Sequence, residues 1–565
     1  MNDVRVPIII GVTGHRDIPS EDAEILRTAV HKFLMQLQSE YPKTPFKLIS
    51  GLAEGADRLV AEVALDVGFD ILAALPMPQT DYEQDFESIQ SIEQFRQFIA
   101  KAESCFVVPQ ESGYIDPKMT RDLCYLALGR YIAQHAQIVV ALWDGISEQT
   151  MADGSKKILT GGTADVVHMC RSGLHSVNLE QILLPEPTWL HHLWVRRRKN
   201  MSAYERVGHW AQNWNRQIHD KNIDSSEMQI RTVLFDINKF NAFVVEKLPA
   251  TKVQQSREWL LEKNSLKILP AYLSRPLAIF AAADAAALQQ QTERLQAIKW
   301  ISGLAIVSII CQQIYSGPAM RWGWLAAHII LAVFAFLAYM HYFRRNSPTE
   351  QQYFDWRSLA EALRVQIFWI AGGVQKSIAD YYLSDDRDEL NWIRQAARNA
   401  TVGLNYTLDD KMTLWSRDLW LESQRDWFKK KAPENERKMQ FYNRLVAIIF
   451  AAALFLTVCT LVMNLMSASD LILNFFVLSS GVCFLGSGVL KTYAEQMAYR
   501  EQKDRYQMMA KIYNFALSKF DEHIEKNNIN LARNIIFLTG KEALTENAGW
   551  LRLHRQREFK PNIGG

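Results

Sequence analysis

Four long stretches without a charged side chain limit what this chain can become. Between Lys299 and Arg321 lie 21 residues with no Asp, Glu, Lys or Arg. Between Arg321 and Arg344 lie 22, between Arg444 and Asp470 lie 25, and between Asp470 and Lys491 lie 20. Each stretch is mostly Leu, Ile, Val, Ala and Phe. A bilayer core about 30 Å thick is crossed by about 20 helical residues, whereas a buried strand is far shorter. The pattern predicts four transmembrane helices arranged as two hairpins, with tight turns at 316–321 and 467–470.

Basic residues set the orientation. Arg294, Lys299, Arg344 and Arg345 flank the open end of the first hairpin, and Arg437, Lys438, Arg444, Lys491 and Arg500 that of the second. The turns carry only Arg321 and Asp470. Cytoplasmic flanks are enriched in Lys and Arg. The N-terminus, segment 346–440 and the C-terminus are therefore expected inside. Little chain is left outside for an external ligand.

Polar groups within the spans are few: Gln312, Gln313, His328, Thr457, Thr460, Asn464, Asn474, Ser479 and Ser480. Proton-driven transporters and cation filters usually bury carboxylates, and none occurs here. Small, weakly polar residues fit helix contacts in an oligomer and also fit a weakly polar pore. Four spans are too few to enclose a wide pore, so a pore requires a homo-oligomer.

The rest of the chain has the composition of a folded protein. Of 565 residues, 48% are apolar and 22% charged, which excludes a mainly disordered chain. A net charge of +2 gives no sign of nucleic-acid binding, and none is expected. Six cysteines are scattered without a CxxC pair, against a disulfide scaffold or a cysteine zinc site. No metal site is expected, His191-His192 included. The N-terminal MNDVRVPIII has no long apolar region and reads as a buried strand rather than a signal peptide.

Apolar runs at 6–12, 46–49, 71–75, 105–108 and 138–143, with a sixth at 179–184, alternate with helical stretches. That alternation predicts an α/β, Rossmann-like parallel sheet. Ligands of such sheets bind at the carboxyl ends of the strands. Three polar, glycine-rich segments follow strands there: Gly11, Thr13, Gly14, His15 and Arg16; then Ser50, Gly51, Glu54, Gly55 and Asp57; then Thr160, Gly161, Gly162, Thr163 and Asp165. Glycines let the backbone approach a phosphate, and a helix N-terminus offers free N–H groups to an anion. Together they form a candidate nucleotide cleft; separately, the glycines serve only tight strand–helix turns. Arg16 suits a phosphate because guanidinium matches it bidentately. His15 either contacts a phosphate or lies at the surface.

GVTGHR, SGLAEGADRLVAEVAL and TGGTADVV resemble the SLOG superfamily, the Rossmann-like group that includes the DNA-uptake protein DprA and the LOG phosphoribohydrolases. SGLAEGAD is similar to the SGxAxGxD segment of the DprA side. TGGTADVV is similar to a shortened PGGxGTxxE motif of the LOG side. The resemblance covers about residues 5–185 and implies binding of a nucleotide or nucleotide-derived signal, with no further cofactor. The LOG enzymes use a glutamate at the start of the last helix to cleave an N-glycosidic bond. Here Asp165 stands there, one carbon shorter, and the second Gly-Thr unit is missing. If the chain is an enzyme, Glu54 and Asp165 are its candidate acids. The other readings, ribose binding or a helix cap, are favoured over catalysis.

The membrane half reads as duplicated. Phe280 to Arg294 before the first hairpin, and Tyr353 to Trp369 with Trp392 after it, resemble the flanks of SLATT modules: two spans and a helix, often fused to SLOG sensors. Tyr493, Tyr506 and Tyr513 mark a comparable helix after the second hairpin. Trp356, Trp369, Trp392, Trp415, Trp420 and Trp427 are expected to pack rather than form a ligand cage. Arg196-Arg197-Arg198-Lys199 is read as a solvated linker, with anionic lipid as its alternative.

The expected organisation is a nucleotide-binding domain at 1–185, a helical connector at 186–270, and hairpin modules at 271–400 and 401–565. The resemblance implies a non-catalytic sensor in the bacterial inner membrane, lipid-embedded and oligomeric. It would permeabilise the membrane in anti-phage defence. The alternative is a membrane-tethered hydrolase of a nucleotide or its N-glycosidic bond.

Overall fold

The computed structural model describes residues 3–109, 121–150, 156–158, 162–172, 188–198, 206–211, 223–261, 269–315, 322–343, 348–382, 387–405 and 408–556. Thr160, Gly161, the expected strand at 179–184, Lys199, the first turn with Arg321, and Arg344 and Arg345 lie outside them. The chain forms two compact units. One comprises Met1–Ala282, Ala362–Ile370 and Gln375–Leu408; the other comprises Ala283–Glu361, Ala371–Val374 and Asp409–Gly565.

The first unit is built on a six-stranded parallel sheet. Its strands are β1 (Ile8–Gly14), β2 (Phe46–Ser50), β3 (Asp70–Leu75), β4 (Ser104–Val107), β5 (Ile138–Trp143) and, past a short antiparallel pair β6 (Glu148–Thr150) and β7 (Lys156–Ile158), β8 (Trp189–Trp194). The order is β4-β3-β2-β1-β5-β8. Between them come α1 (Ala23–Glu40), α2 (Ala56–Asp66), α3 (Gln79–Tyr82), α4 (Ile89–Lys101), α5 (Arg121–His135) and α6 (Thr163–Ser172). The apolar runs are continuous because both sheet faces are buried. Ile9, Ile49, Leu72, Val139 and Ala141 share a core with Leu128 and Ile132 of α5 and Val166 and Val167 of α6. Their strand neighbours Ile8, Ile10, Leu48, Ile71 and Val140 are fully buried as well.

The sixth strand lies past residue 185, at Trp189–Trp194, inside the expected connector. It pairs in parallel with β5 from Ile138↔Trp189 to Trp143↔Trp194. Trp189, His191, His192 and Trp194 break the apolar run that marks the other strands, and the segment reads from sequence as part of a helical connector. The connector also supplies α7 (Ile223–Lys247) and α8 (Ala250–Leu260). Asn241 of α7 bonds both backbone groups of Val6, accepting from its N–H at 2.8 Å and donating to its carbonyl at 2.8 Å.

Residues well past the first hairpin complete this unit. Asn399, on the helix Arg387–Thr401, donates to Pro7 O at 2.8 Å, and Gln137 donates to Gln395 at 2.8 Å. These groups are buried and carry the unsatisfied polar ends of β1 and β5.

The second unit is helical. Three helices are long and apolar enough to cross a membrane: Ala271–Gln312, Asp410–Leu465 (counted through a π turn at Arg417–Glu422) and Asp470–Glu525. Trp322–Ala338 is a shorter apolar stretch, so three spans rather than four meet that standard among the described residues. In the last two, only 6% of the apolar window is buried within the chain, so those faces need a surrounding other than water. The helices Ser274–Tyr315 and Ser423–Leu465 have 42 and 43 residues. Each is followed by an apolar helix and then by a polar helix that turns back along it. Asp284 pairs with Arg357 at 2.8 Å across the first such stem, and Glu436 with Lys503 at 3.0 Å across the second. Within the first hairpin the ring of His328 lies 2.9 Å from the Ser308 hydroxyl. Trp356 and Trp420 are buried packing residues of this unit, as are Trp369 and Trp392 of the first.

Candidate functional site

The strand order reverses between β1 and β5, the kind of switch point at whose carboxyl ends open α/β sheets take their ligands. His15 and Asp144 meet there. His15 Nε2 lies 3.0 Å from Asp144 Oδ1 and 3.2 Å from the Asp144 N–H. A neutral ring accepts from that amide, and a protonated ring donates to the carboxylate. Burial alone would raise the Asp144 carboxyl, but the hydrogen bond and charge of His15, the Ile146 N–H and Arg197 together outweigh it and hold the group below the usual range.

The glycines are explained mainly by chain packing. Gly55 has φ +76°, and a Cβ there would lie 2.4 Å from Arg16 O and 2.5 Å from His15 O. A Cβ on Gly14 would meet the Ala56 methyl at 2.3 Å. These two residues let the start of α2 press on the turn after β1, where Ala56 N–H donates to His15 O at 3.0 Å. Gly11 lies inside β1 with Ile132 against it, and Gly51 faces Leu128. Only Gly162 of the third segment has open space at its Cβ position among the predicted glycines described. Thr163 and Asp165 lie in the first turn of α6. Thr13 is buried opposite Ala141.

The second segment is a locked loop. Ser50 is fully buried and its oxygen accepts from Leu52 N–H at 3.0 Å. Glu54 turns towards α4, where it accepts from Glu87 N–H at 3.0 Å and from the Ser91 hydroxyl. A carboxylate committed to two donors, one on α4 and one just before it, is an anchor, which weighs against Glu54 as a catalytic acid. Asp57 is buried and accepts from Ala53 N–H at 3.3 Å. Burial pushes its carboxyl up to about 7, against the pull of the Ala53 amide, Arg16 and Arg58.

The structure gathers around Arg16 and Asp57 a set of residues that sequence reading missed. Arg16 Nη2 donates to the Tyr125 hydroxyl at 2.8 Å, and that hydroxyl donates to Asp85 at 2.5 Å. Asp85 also takes an ion pair from Arg121 at 2.6 Å. Burial pushes the Tyr125 phenol up to about 12, with the bond to Asp85 adding to the rise. Burial also opposes the Arg16 charge, but Tyr82, Tyr125 and Asp57 outweigh it and hold its pKa above the ordinary value. The buried Tyr82 hydroxyl and Arg58 Nη2 have no hydrogen-bond partner. A signal existed: Arg121 and Tyr125 are four apart on one face of α5, and Tyr82–Asp85 follows the end of β3.

Arg196 and Arg197 belong to this wall rather than to a solvated linker. Arg196 donates to Asp22 at 2.5 and 2.7 Å, with both side chains nearly inaccessible, and Arg197 pairs with Asp17 at 2.9 Å. They fasten the turn after β1 to the end of β8. His192 is spent on the Trp143 carbonyl, at 2.7 Å. Among the described residues no cluster of His, Cys, Asp and Glu could hold a metal ion.

Comparison with family models, with curated proteins and with solved structures returns no match to this chain.

Proposed function

We propose that this protein is a membrane-bound sensor–effector of the SLOG and SLATT type. Its α/β unit takes a nucleotide or nucleotide-derived signal at the switch point between β1 and β5. Binding drives the helical unit, as an oligomer, to permeabilise or depolarise the bacterial inner membrane, a response suited to anti-phage defence. Four spans, with both termini cytoplasmic, complete the topology. The observation that carries the ligand reading is the cluster of Arg16, Arg58, Tyr82 and Tyr125 beside Asp57, with two of its polar atoms unpartnered in a buried setting. Buried polar atoms are nearly always satisfied, and a phosphate would satisfy donors of this kind. The nearly unburied apolar windows support the membrane half. A ligand that moves the resting population from 1:99 to 99:1 must favour the active state by about 5.5 kcal/mol.

The test uses full-length protein in liposomes, screened against mono-, di- and cyclic nucleotides and ADP-ribose by thermal shift and dye leakage, with mass spectrometry of the nucleotide. An intact nucleotide that stabilises the wild type and triggers leakage, and does neither with Arg16→Ala, is the expected result. Cleavage of the nucleotide, or leakage indifferent to every nucleotide, overturns the reading.

A further inference from the structure

A second pocket lies in the first unit at the opposite end of the strands from the cleft. Its cavity measures about 320 Å³ and is lined by Lys32, Phe33, Gln36 and Glu40 of α1, Trp189 and His191 of β8, Trp210 and Arg231. Small-ligand sites begin at about 300 Å³ and are lined mainly by aromatic side chains with a few polar groups.

The aromatic wall is continuous. Phe33 stands 4.3 Å from His191 and 5.0 Å from Trp210, ring centre to ring centre, and His191 stands 4.4 Å from Trp189. Arg231 lies 4.4 Å over the Trp189 ring. Its charge is already answered by Glu227 at 3.0 Å and Glu40 at 3.5 Å. That leaves one anomaly, His191. Its Nε2 is buried without a hydrogen-bond partner. Burial, with the charge of Arg231 adding to it, pushes the ring down to about 3, so the imidazole is neutral at physiological pH. A neutral imidazole carries one donor and one acceptor. An aromatic wall with such a group suits an uncharged planar heterocycle that stacks and offers both hydrogen-bonding senses at its edge. A quaternary ammonium fits poorly, because Arg231 already occupies the face of Trp189.

We propose that the pocket bounded by Phe33, Trp189, His191 and Trp210 is a second ligand site, one that takes a nucleobase-type heterocycle such as the purine of a nucleoside. The site does not rest on the cleft reading, and it gives the α/β unit an input separate from the phosphate-selective end of the sheet.

The experiment is calorimetry of adenosine with full-length protein in nanodiscs, with ribose as the ring-free control. Adenosine binds and ribose does not. His191→Phe keeps the ring but removes both nitrogens, and weakens adenosine about tenfold, the scale of one lost hydrogen bond. Gln36→Trp, at an exposed position of α1, fills the cavity and removes binding while leaving the thermal unfolding curve in place. Absence of adenosine binding to the wild type overturns the proposal. So does affinity unchanged in both variants, which would move adenosine to another part of the protein and leave the cleft reading standing.

Discussion

His15, on the turn after β1, and Asp144, at the end of β5, meet at 3.0 Å across the point where the strand order reverses. One side-chain contact therefore bridges the two halves of the sheet at its topological switch point. Asp144→Asn removes the carboxylate that meets the His15 ring, at an expected cost of about 1–2 kcal/mol. Thermal unfolding should show the loss. A Tm equal to the wild type would make the pair ornamental.

Asp57 gives the fold a pH signature. Its carboxyl is pushed up to about 7 in the folded chain, against about 3.9 for an unperturbed aspartate. Between those values the folded state binds more protons than the unfolded one, so stability falls as pH rises and levels off above about 7. The effect is bounded by about 4 kcal/mol, from roughly three units at 1.36 kcal/mol each. Asp57→Asn mimics the protonated acid, so its Tm should vary less over that window and match or exceed the wild type at pH 8. Parallel profiles would show that Asp57 ionises at an ordinary pH.

Gly55→Ala should be among the most damaging single substitutions in the first unit. The added methyl combines a positive φ with a clash against two backbone carbonyls, neither of which can rotate away. A loss of about 2–4 kcal/mol follows from strain of this kind. Gly162→Ala, whose Cβ meets nothing within 4 Å, serves as the control and should cost little. Similar Tm values for the two variants would contradict the account.

Arg196→Ala strands Asp22 as a buried, uncompensated carboxylate, which costs about 3–5 kcal/mol when one partner of a buried pair is removed. The turn at 16–22 should become open to limited proteolysis. If Arg196 instead served anionic lipid, the variant would keep its protease resistance and lose affinity for acidic vesicles.

How far the sequence could be read depends on how local each signal is. The five strands from β1 to β5 were legible because burial on both faces writes an uninterrupted apolar run into each. β8 was not, because Trp189, His191 and Trp194 draw their meaning from partners such as Phe33 and Trp210 on other elements. Arg16 and Asp57 were found from a strand-end motif. Tyr82, Asp85, Arg121 and Tyr125 were missed because only folding brings α3 and α5 to the same strand ends. Gly51 looked like a phosphate-facing glycine, yet Leu128 fills the space its side chain would take, so a substitution there tests packing before it tests a ligand.

The return of Asn399 to Pro7 and Gln137 has a consequence for the order of synthesis. The last sheet strand leaves the ribosome at Trp194, but Asn399, which helps satisfy the buried ends of β1 and β5, lies 205 residues further on, with the whole first hairpin between. At ~5–20 residues per second that interval is ~10–40 s. Throughout it Gln137 waits in an unfinished sheet. The unit closes only once the hairpin exists, so a chain stalled or cleaved before that point carries an incomplete α/β unit with unsatisfied polar groups at its sheet ends. Quality control of this protein is thereby written into its chain order.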